Sequence, residues 1–222
     1  MRRITGSLFQ SLDGVIQAPG GPEEDPTGGF THGGWTAPYF DESLAGPMGR
    51  LLGGDYELLL GRRTYEIFAA YWPDNGDQPI GATFNAVRKH VVTSSDRALG
   101  WANSRRLAGD PVAAITRLKA SDGPDLLIQG SSQLYRVLLP AGLVDRIALF
   151  TFPVMLGRGR RWCADDPAAA RSWTLVEQAT APTGVHYAAF ALDGAVRTGS
   201  FATKPPSAAE RALRGRQAEG SW

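Results

Sequence analysis

Three short stretches put small or basic residues directly after an apolar run. In YELLLGRRTYEIF they are Gly61, Arg62, Arg63 and Thr64, and a helical pattern follows at once. In LLIQGSSQLYRVLL they are Gly130, Ser131 and Ser132, with Gln133 and Leu134 continuing into a helix. In HVVTSS they are Thr93, Ser94 and Ser95. A helix begins with backbone N–H groups that find no partner inside it, and such groups favour an anion. Gly130 lets a ligand approach the backbone, and Ser131 or Ser132 can cap the helix. Two neighbouring guanidiniums suit a phosphate by charge and by forked geometry. Singly, each stretch also reads as an ordinary turn, a helix start with solvated arginines, or a strand end. Their coincidence favours a nucleotide, because ligands of open α/β sheets bind at the carboxyl ends of the strands. No G-x-G-x-x-G follows the first strand and no Walker lysine is present.

The remaining chemically capable residues are sparser. In GGWTAPYFDESL, Asp41 and Glu42 open a helical stretch, and Asp41 is the first candidate for a catalytic proton donor or substrate anchor, with a helix cap as the alternative. Trp35, Tyr39 and Phe40 form an aromatic wall for a flat heterocycle or belong to the core. Asp13-Gly14 is a tight-turn pair. His32 lies in a glycine-rich loop, His90 and His186 lie in strand-like runs, and their spacing is not that of metal ligands. Downstream, TFPVMLGRGRRW carries Arg158, Arg160 and Arg161, readable as a substrate-phosphate site, a solvated loop or a subunit contact.

These residues need a scaffold, and the chain alternates strand-like and helix-like segments. Strands are expected at RRITGSLF, YELLLG, RKHVVTSS, SRRLAG, DLLIQG and DRIALFTFPVML, with a late pair at WTLVEQATA and GVHYAAFAL. Helices are expected at RRTYEIFAAYW, DPVAAITRLKAS and SSQLYRVLLPAG, and one interrupted by Gly46 and Pro47 at YFDESLAGPMGRLL. The fold class is therefore α/β: a mixed, mostly parallel central sheet with helices on both faces and a C-terminal antiparallel strand pair. Residues 1–197 form one domain, and 198–222 read as a tail with a short helical piece. Residues 17 to 34, dense in Gly and Pro, are a lid or disorder.

Composition bounds the rest. With 222 residues, 43% hydrophobic and 20% charged, the chain suits one well-buried domain. A net charge of +1 gives no global attraction to nucleic acid or membrane. Cys163 is the single cysteine, so no internal disulfide forms, and the basic N-terminus lacks an apolar run behind it. A cytoplasmic setting follows.

The ordered motifs resemble the dihydrofolate reductase-like superfamily, in particular the branch with the C-terminal reductase domain of bacterial riboflavin biosynthesis proteins. The resemblance spans roughly residues 2–195. It implies NADPH as cofactor, with Gly61, Arg62, Arg63 and Thr64 on its phosphates, Thr93, Ser94 and Ser95 flanking adenine, and the pyrophosphate over Gly130, Ser131, Ser132, Gln133 and Leu134. It places Gly14, Val15 and Ile16 beside the nicotinamide, and Trp35, Phe40 and Asp41 toward the substrate. Where dihydrofolate reductases carry a pocket carboxylate, this chain has Phe40, which argues against folate. Pro153, Gly157 and Gly159 are similar to an element of the riboflavin branch. The implied activity is NADPH-dependent reduction of a small heterocyclic or imine-containing substrate, such as a ribosylaminopyrimidine phosphate, by a homodimer. The alternatives are weak dihydrofolate reduction, a non-catalytic NADPH-binding protein, and a flavin module.

Overall fold

The computed structural model describes residues 1–163 and 165–221, so the last tail residue, Trp222, lies outside it. Eight strands form one sheet: β1 (Ile4–Ser11), β2 (Tyr56–Gly61), β3 (Lys89–Val92), β4 (Ser104–Leu107), β5 (Asp125–Gln129), β6 (Arg146–Phe152), β7 (Ser172–Thr180) and β8 (His186–Gly194). Their order is β4-β3-β2-β5-β1-β6-β8-β7. The first six in that order pair in parallel; β8 pairs antiparallel with both β6 and β7. Among the described residues six α-helices accompany them: α1 (Ala45–Leu52), α2 (Arg62–Tyr71), α3 (Pro79–Ala86), α4 (Pro111–Ala120), α5 (Ser132–Leu138) and α6 (Ala208–Ala218).

The apolar runs are unbroken because the parallel strands are covered on both sides. Along β2, Leu59 joins Ile115 of α4 and Leu134 and Leu138 of α5 on one face. Leu58 and Leu60 join Tyr65 of α2 and Phe84 of α3 on the other. A third cluster packs Phe150 and Phe152 of β6 and Tyr187 of β8 against Val15, Phe30 and Trp35.

Two expectations need correction, those on Gly46–Pro47 and on residues 17–34. Gly46 and Pro47 do not interrupt α1; they fall in its first turn, where proline's missing N–H has no intrahelical role, and a 3-10 turn at Glu42–Leu44 leads in. The α3 segment, PIGATFNA, is helical although its apolar residues lack strong periodicity. β6, which carries RIALFTF, lies inside the sheet between β1 and β8, and β7 is the edge on that side. Residues 17–34 are neither disordered nor detached: Phe30 and Ala18 are buried, and the Gln17 amide donates to the carbonyls of Asp25 and Thr27, both at 2.9 Å. Beyond Gly194 the described chain is largely exposed, and α6 has a capping box between Ser207 and Glu210 but no buried residue.

Candidate functional site

Because β1, β2, β3, β5 and β6 run parallel, the turns after them emerge at one edge of the sheet. Two meet directly: the Gly61 N–H donates to Ser131 Oγ at 3.0 Å. A Cβ built on Gly130 would lie 3.6 Å from Thr64 Cγ2, so the β2–α2 and β5–α5 turns are in contact. Gly130 and Ser131 both hold positive φ, 63° and 66°. Ser131 thus takes a left-handed conformation that favours glycine. The expected cap is absent there, because the Ser131 hydroxyl is turned to Gly61 and no side chain caps α5. The first N–H groups of α2 likewise have no side-chain cap. Leu134 is corrected from ligand contact to core: its side chain is buried and its N–H donates to the Ser131 carbonyl at 2.9 Å.

Arg62 and Arg63 diverge. Arg62 bonds Glu66 at 2.7 Å and reaches the Arg97 carbonyl at 3.4 Å, on the side of the β3 end. Arg63 reaches Thr27 Oγ1 at 3.4 Å and lies 3.8 Å from Asp25, on the side of the long loop. After β3, Thr93 Oγ1 accepts from the Ser95 N–H at 3.0 Å, leaving Ser94 exposed.

At the end of β1, Asp13 ties two loops together. Its carboxylate accepts from Ser11 Oγ, from the N–H groups of Leu156 and Gly157 (3.1 and 3.0 Å), and from Arg161 at 2.8 Å. Burial raises the pKa of this carboxyl, but the hydrogen bonds outweigh it and bring the value down to about 2. Gly14 has φ 76° and open space where a Cβ would point. Val15 is corrected: it is fully buried in the core, with its N–H on Ser11 Oγ. Ile16 is held by its N–H on the Arg160 carbonyl at 2.9 Å.

On the substrate side, Asp41 caps the 3-10 turn, accepting from the Ser43 N–H at 2.9 Å. Hydrogen bonds from Ser43 hold its carboxyl below the ordinary range, so Asp41 is an ionised acceptor and a poor proton donor. Of the two readings open for Trp35, wall or core, its position is the core: it is 7% exposed, donates from Nε1 to the Gln17 carbonyl, and packs edge-on against Phe152. Phe40 is 47% exposed and meets Phe9 edge-on, which leaves it available to a flat ligand.

Sequence reading missed three residues here. Gln129, last in β5, has a buried Oε1 with no partner among the described residues. Gln17 organises the long loop and accepts from the Arg160 N–H at 3.1 Å. Asp25, 6% exposed, pairs with Arg160 and draws in Arg63. No local motif marks any of them, since the Asp25–Arg160 pair spans 135 residues.

Two hollows lie away from the β2–α2 and β5–α5 turns. One of about 540 Å³ is bordered by Tyr56, Glu57, Arg88 and Ser104, near the starts of their strands. The other, about 300 Å³, lies between β4 and α4. The reason to place a ligand at the edge is the convergence of turns. His90 is buried, with Nε2 2.7 Å from Glu57. Among the described residues no group of three His, Cys, Asp or Glu side chains could hold a metal ion, and no helix is long and apolar enough to cross a membrane.

The sheet order and the edge where the turns converge define a dihydrofolate reductase-like α/β protein. The chain belongs to the RibD C-terminal domain family, which it matches over residues 2–187. It is 25% identical over 168 residues to the uncharacterized protein YyaP of Bacillus subtilis, covering 72% of this chain and 79% of that one. Three solved structures share the fold. A protein assigned to riboflavin biosynthesis from Shewanella sp. PV-4 has 18% identity and a TM-score of 0.60, over 86% of this chain and 99% of that one. Dihydrofolate reductase from Enterococcus faecalis, complexed with NADP(H), has 16% identity and a TM-score of 0.52 (86% and 96%). A pyrimidine reductase-like protein from Corynebacterium diphtheriae has 14% and 0.51 (89% and 93%).

Proposed function

We propose that this chain is an NADPH-dependent reductase of a small heterocyclic or imine-containing substrate, with a ribosylaminopyrimidine phosphate as the first compound to test. The observation that carries the reading is the contact between the Gly61–Thr64 and Gly130–Ser131 turns, which sets two uncapped helix starts side by side. Family membership and the reductases that share the fold support it.

The residues present fit such a cofactor. The N–H groups of Arg62 to Thr64 and of Ser132 and Gln133 would take the phosphates, with Arg62 adding charge. Ser94 lies where adenine would pass, and Gly14 leaves open space for the nicotinamide. The cofactor would supply the hydride, and the chain supplies orientation and exclusion of water. Phe40 offers its face to a flat ring, while Asp41 anchors a substrate N–H or O–H as an ionised acceptor. The unpartnered Gln129 Oε1 offers a second acceptor at the same edge. The proton that accompanies the hydride then comes from water. An apolar Phe40 on this side disfavours a folate.

Titration of purified protein with NADPH and NADH, followed by tryptophan fluorescence, tests the reading. NADPH should bind more tightly, with the preference lost in Arg62→Ala/Arg63→Ala, and NADPH should be oxidised by the pyrimidine substrate. Failure to bind either nucleotide would overturn it; binding without oxidation by any heterocycle or imine would leave a sensor. We further propose a homodimer through the β7 edge, where Leu175 and Val176 are exposed. Sedimentation of Val176→Lys should then show monomers.

A further inference from the structure

Across the β2–β3–β4 pairing, Leu59, His90 and Arg105 lie side by side in register. Partners in parallel strands share a face, and Leu59 packs with Ile115 of α4, so this is the α4 face of the sheet. At its rim lies the hollow of about 300 Å³, bordered by His90, Arg105, Leu107, Arg117 and Leu118. That volume is in the range of small-molecule sites.

The chemistry of the lining is incomplete. His90 is 2% exposed, and its Nε2 lies 2.7 Å from a Glu57 carboxylate oxygen that also accepts from Arg2. A carboxylate can only accept, so Nε2 carries the proton. Burial, the largest effect, pushes the His90 pKa down although Glu57 pulls it up, and the ring is neutral at pH 7. Nδ1 is therefore a lone-pair acceptor, and it is buried with no donor among the described residues. A buried acceptor left unpaired is costly. At the mouth, neither the Arg105 nor the Arg117 guanidinium has a carboxylate partner or an acceptor among the described residues, whereas Arg106 beside them is paired with Asp96.

We propose that this hollow is a second ligand site, apart from the β2–α2 and β5–α5 turns, for a small aromatic or heterocyclic carboxylate carrying an N–H or O–H donor. The anion meets Arg105 and Arg117, the ring lies on Leu107 and Leu118, and the donor completes His90 Nδ1. Anion and donor each contribute to binding, which distinguishes the site from a basic surface patch.

The probe is 4-hydroxybenzoate, with benzoate as the analogue lacking the donor. Calorimetric titration should show saturable binding of 4-hydroxybenzoate, about tenfold weaker binding of benzoate, and a loss of at least about tenfold in Arg105→Ala/Arg117→Ala. Both arginines are exposed, so that variant should melt like the parent. In His32→Gln/His186→Gln protein labelled with ¹⁵N-histidine, the sole imidazole is His90, and its Nδ1 resonance should move to a hydrogen-bonded shift on saturation. No saturable binding, binding indifferent to the arginine changes, or equal affinity for benzoate would overturn the proposal. So would an Nδ1 shift already in the hydrogen-bonded range and unmoved by the probe, because a buried water would then complete His90.

Discussion

Asp13 and Arg161, 148 residues apart, are joined by a 2.8 Å ion pair that clamps the turn after β1 to the loop after β6. The same carboxylate accepts from two backbone N–H groups of that loop. Asp13→Asn keeps the shape and removes the charge, and should cost about 1–3 kcal/mol in urea unfolding at pH 7. The folded pKa of about 2 lies below that of an unfolded aspartate, about 3.9. Its contribution is therefore complete above about pH 4 and is lost as the pH falls through about 2. Thermal melts from pH 7 to 2 should show a flatter acid limb in the variant; an unchanged limb would remove Asp13 from the account.

Arg62 and Arg63 should separate when changed singly. Arg62 faces the β3 end, so Arg62→Ala should weaken NADPH by about tenfold and NADH far less, as expected of a charge that meets the additional phosphate. Arg63 faces Thr27 and Asp25. Arg63→Ala should leave the ratio of the two affinities nearly unchanged; equal effects from both changes would refute the division.

Asp25 gathers Arg160 and Arg63 beneath the long loop. Asp25→Asn leaves two guanidiniums without their carboxylate, and amide exchange over residues 17–34 should quicken by about tenfold or more while the central strands stay protected. Uniform quickening across the sheet would mean that Asp25 supports the whole domain instead.

Gly6 in β1 faces the ring of Tyr135. An added Cβ would lie 2.6 Å from that ring, and Tyr135 is fully buried, so neither side can retreat. Gly6→Ala should destabilise the protein by about 1–3 kcal/mol or more. Tyr135→Leu in the same chain should recover part of that loss, a coupling that a double-mutant cycle in urea measures.

Much of the scaffold was legible in the residues. YELLL and DLLI read as strands because both faces of a covered parallel sheet demand apolar side chains, and Asp110-Pro111 announces α4 through its cap. The late strand pair showed in the same way. The α3 segment did not, because PIGATFNA has a glycine and β-branched residues and becomes helical by packing Phe84 under Trp72 and Phe68. Propensity was overridden there by burial.

The site divides along the same line. Glycines and small residues at strand ends are local signals, so Gly61 to Thr64, Gly130 and Ser131 could be read directly and imply a turn that leaves backbone N–H groups open. Which of them touch is another matter. The Gly61–Ser131 hydrogen bond, the opposite headings of Arg62 and Arg63, the burial of Trp35 and Val15, and the pairing of Asp25 with Arg160 depend on strand order and on segments distant in the chain. Side-chain spacing encodes periodicity within an element, and so the sequence by itself determined the strands, helices and turns. Only the packed sheet decided which charges were neutralised, which hydroxyl was turned away from its helix, and which buried acceptors were left without a donor.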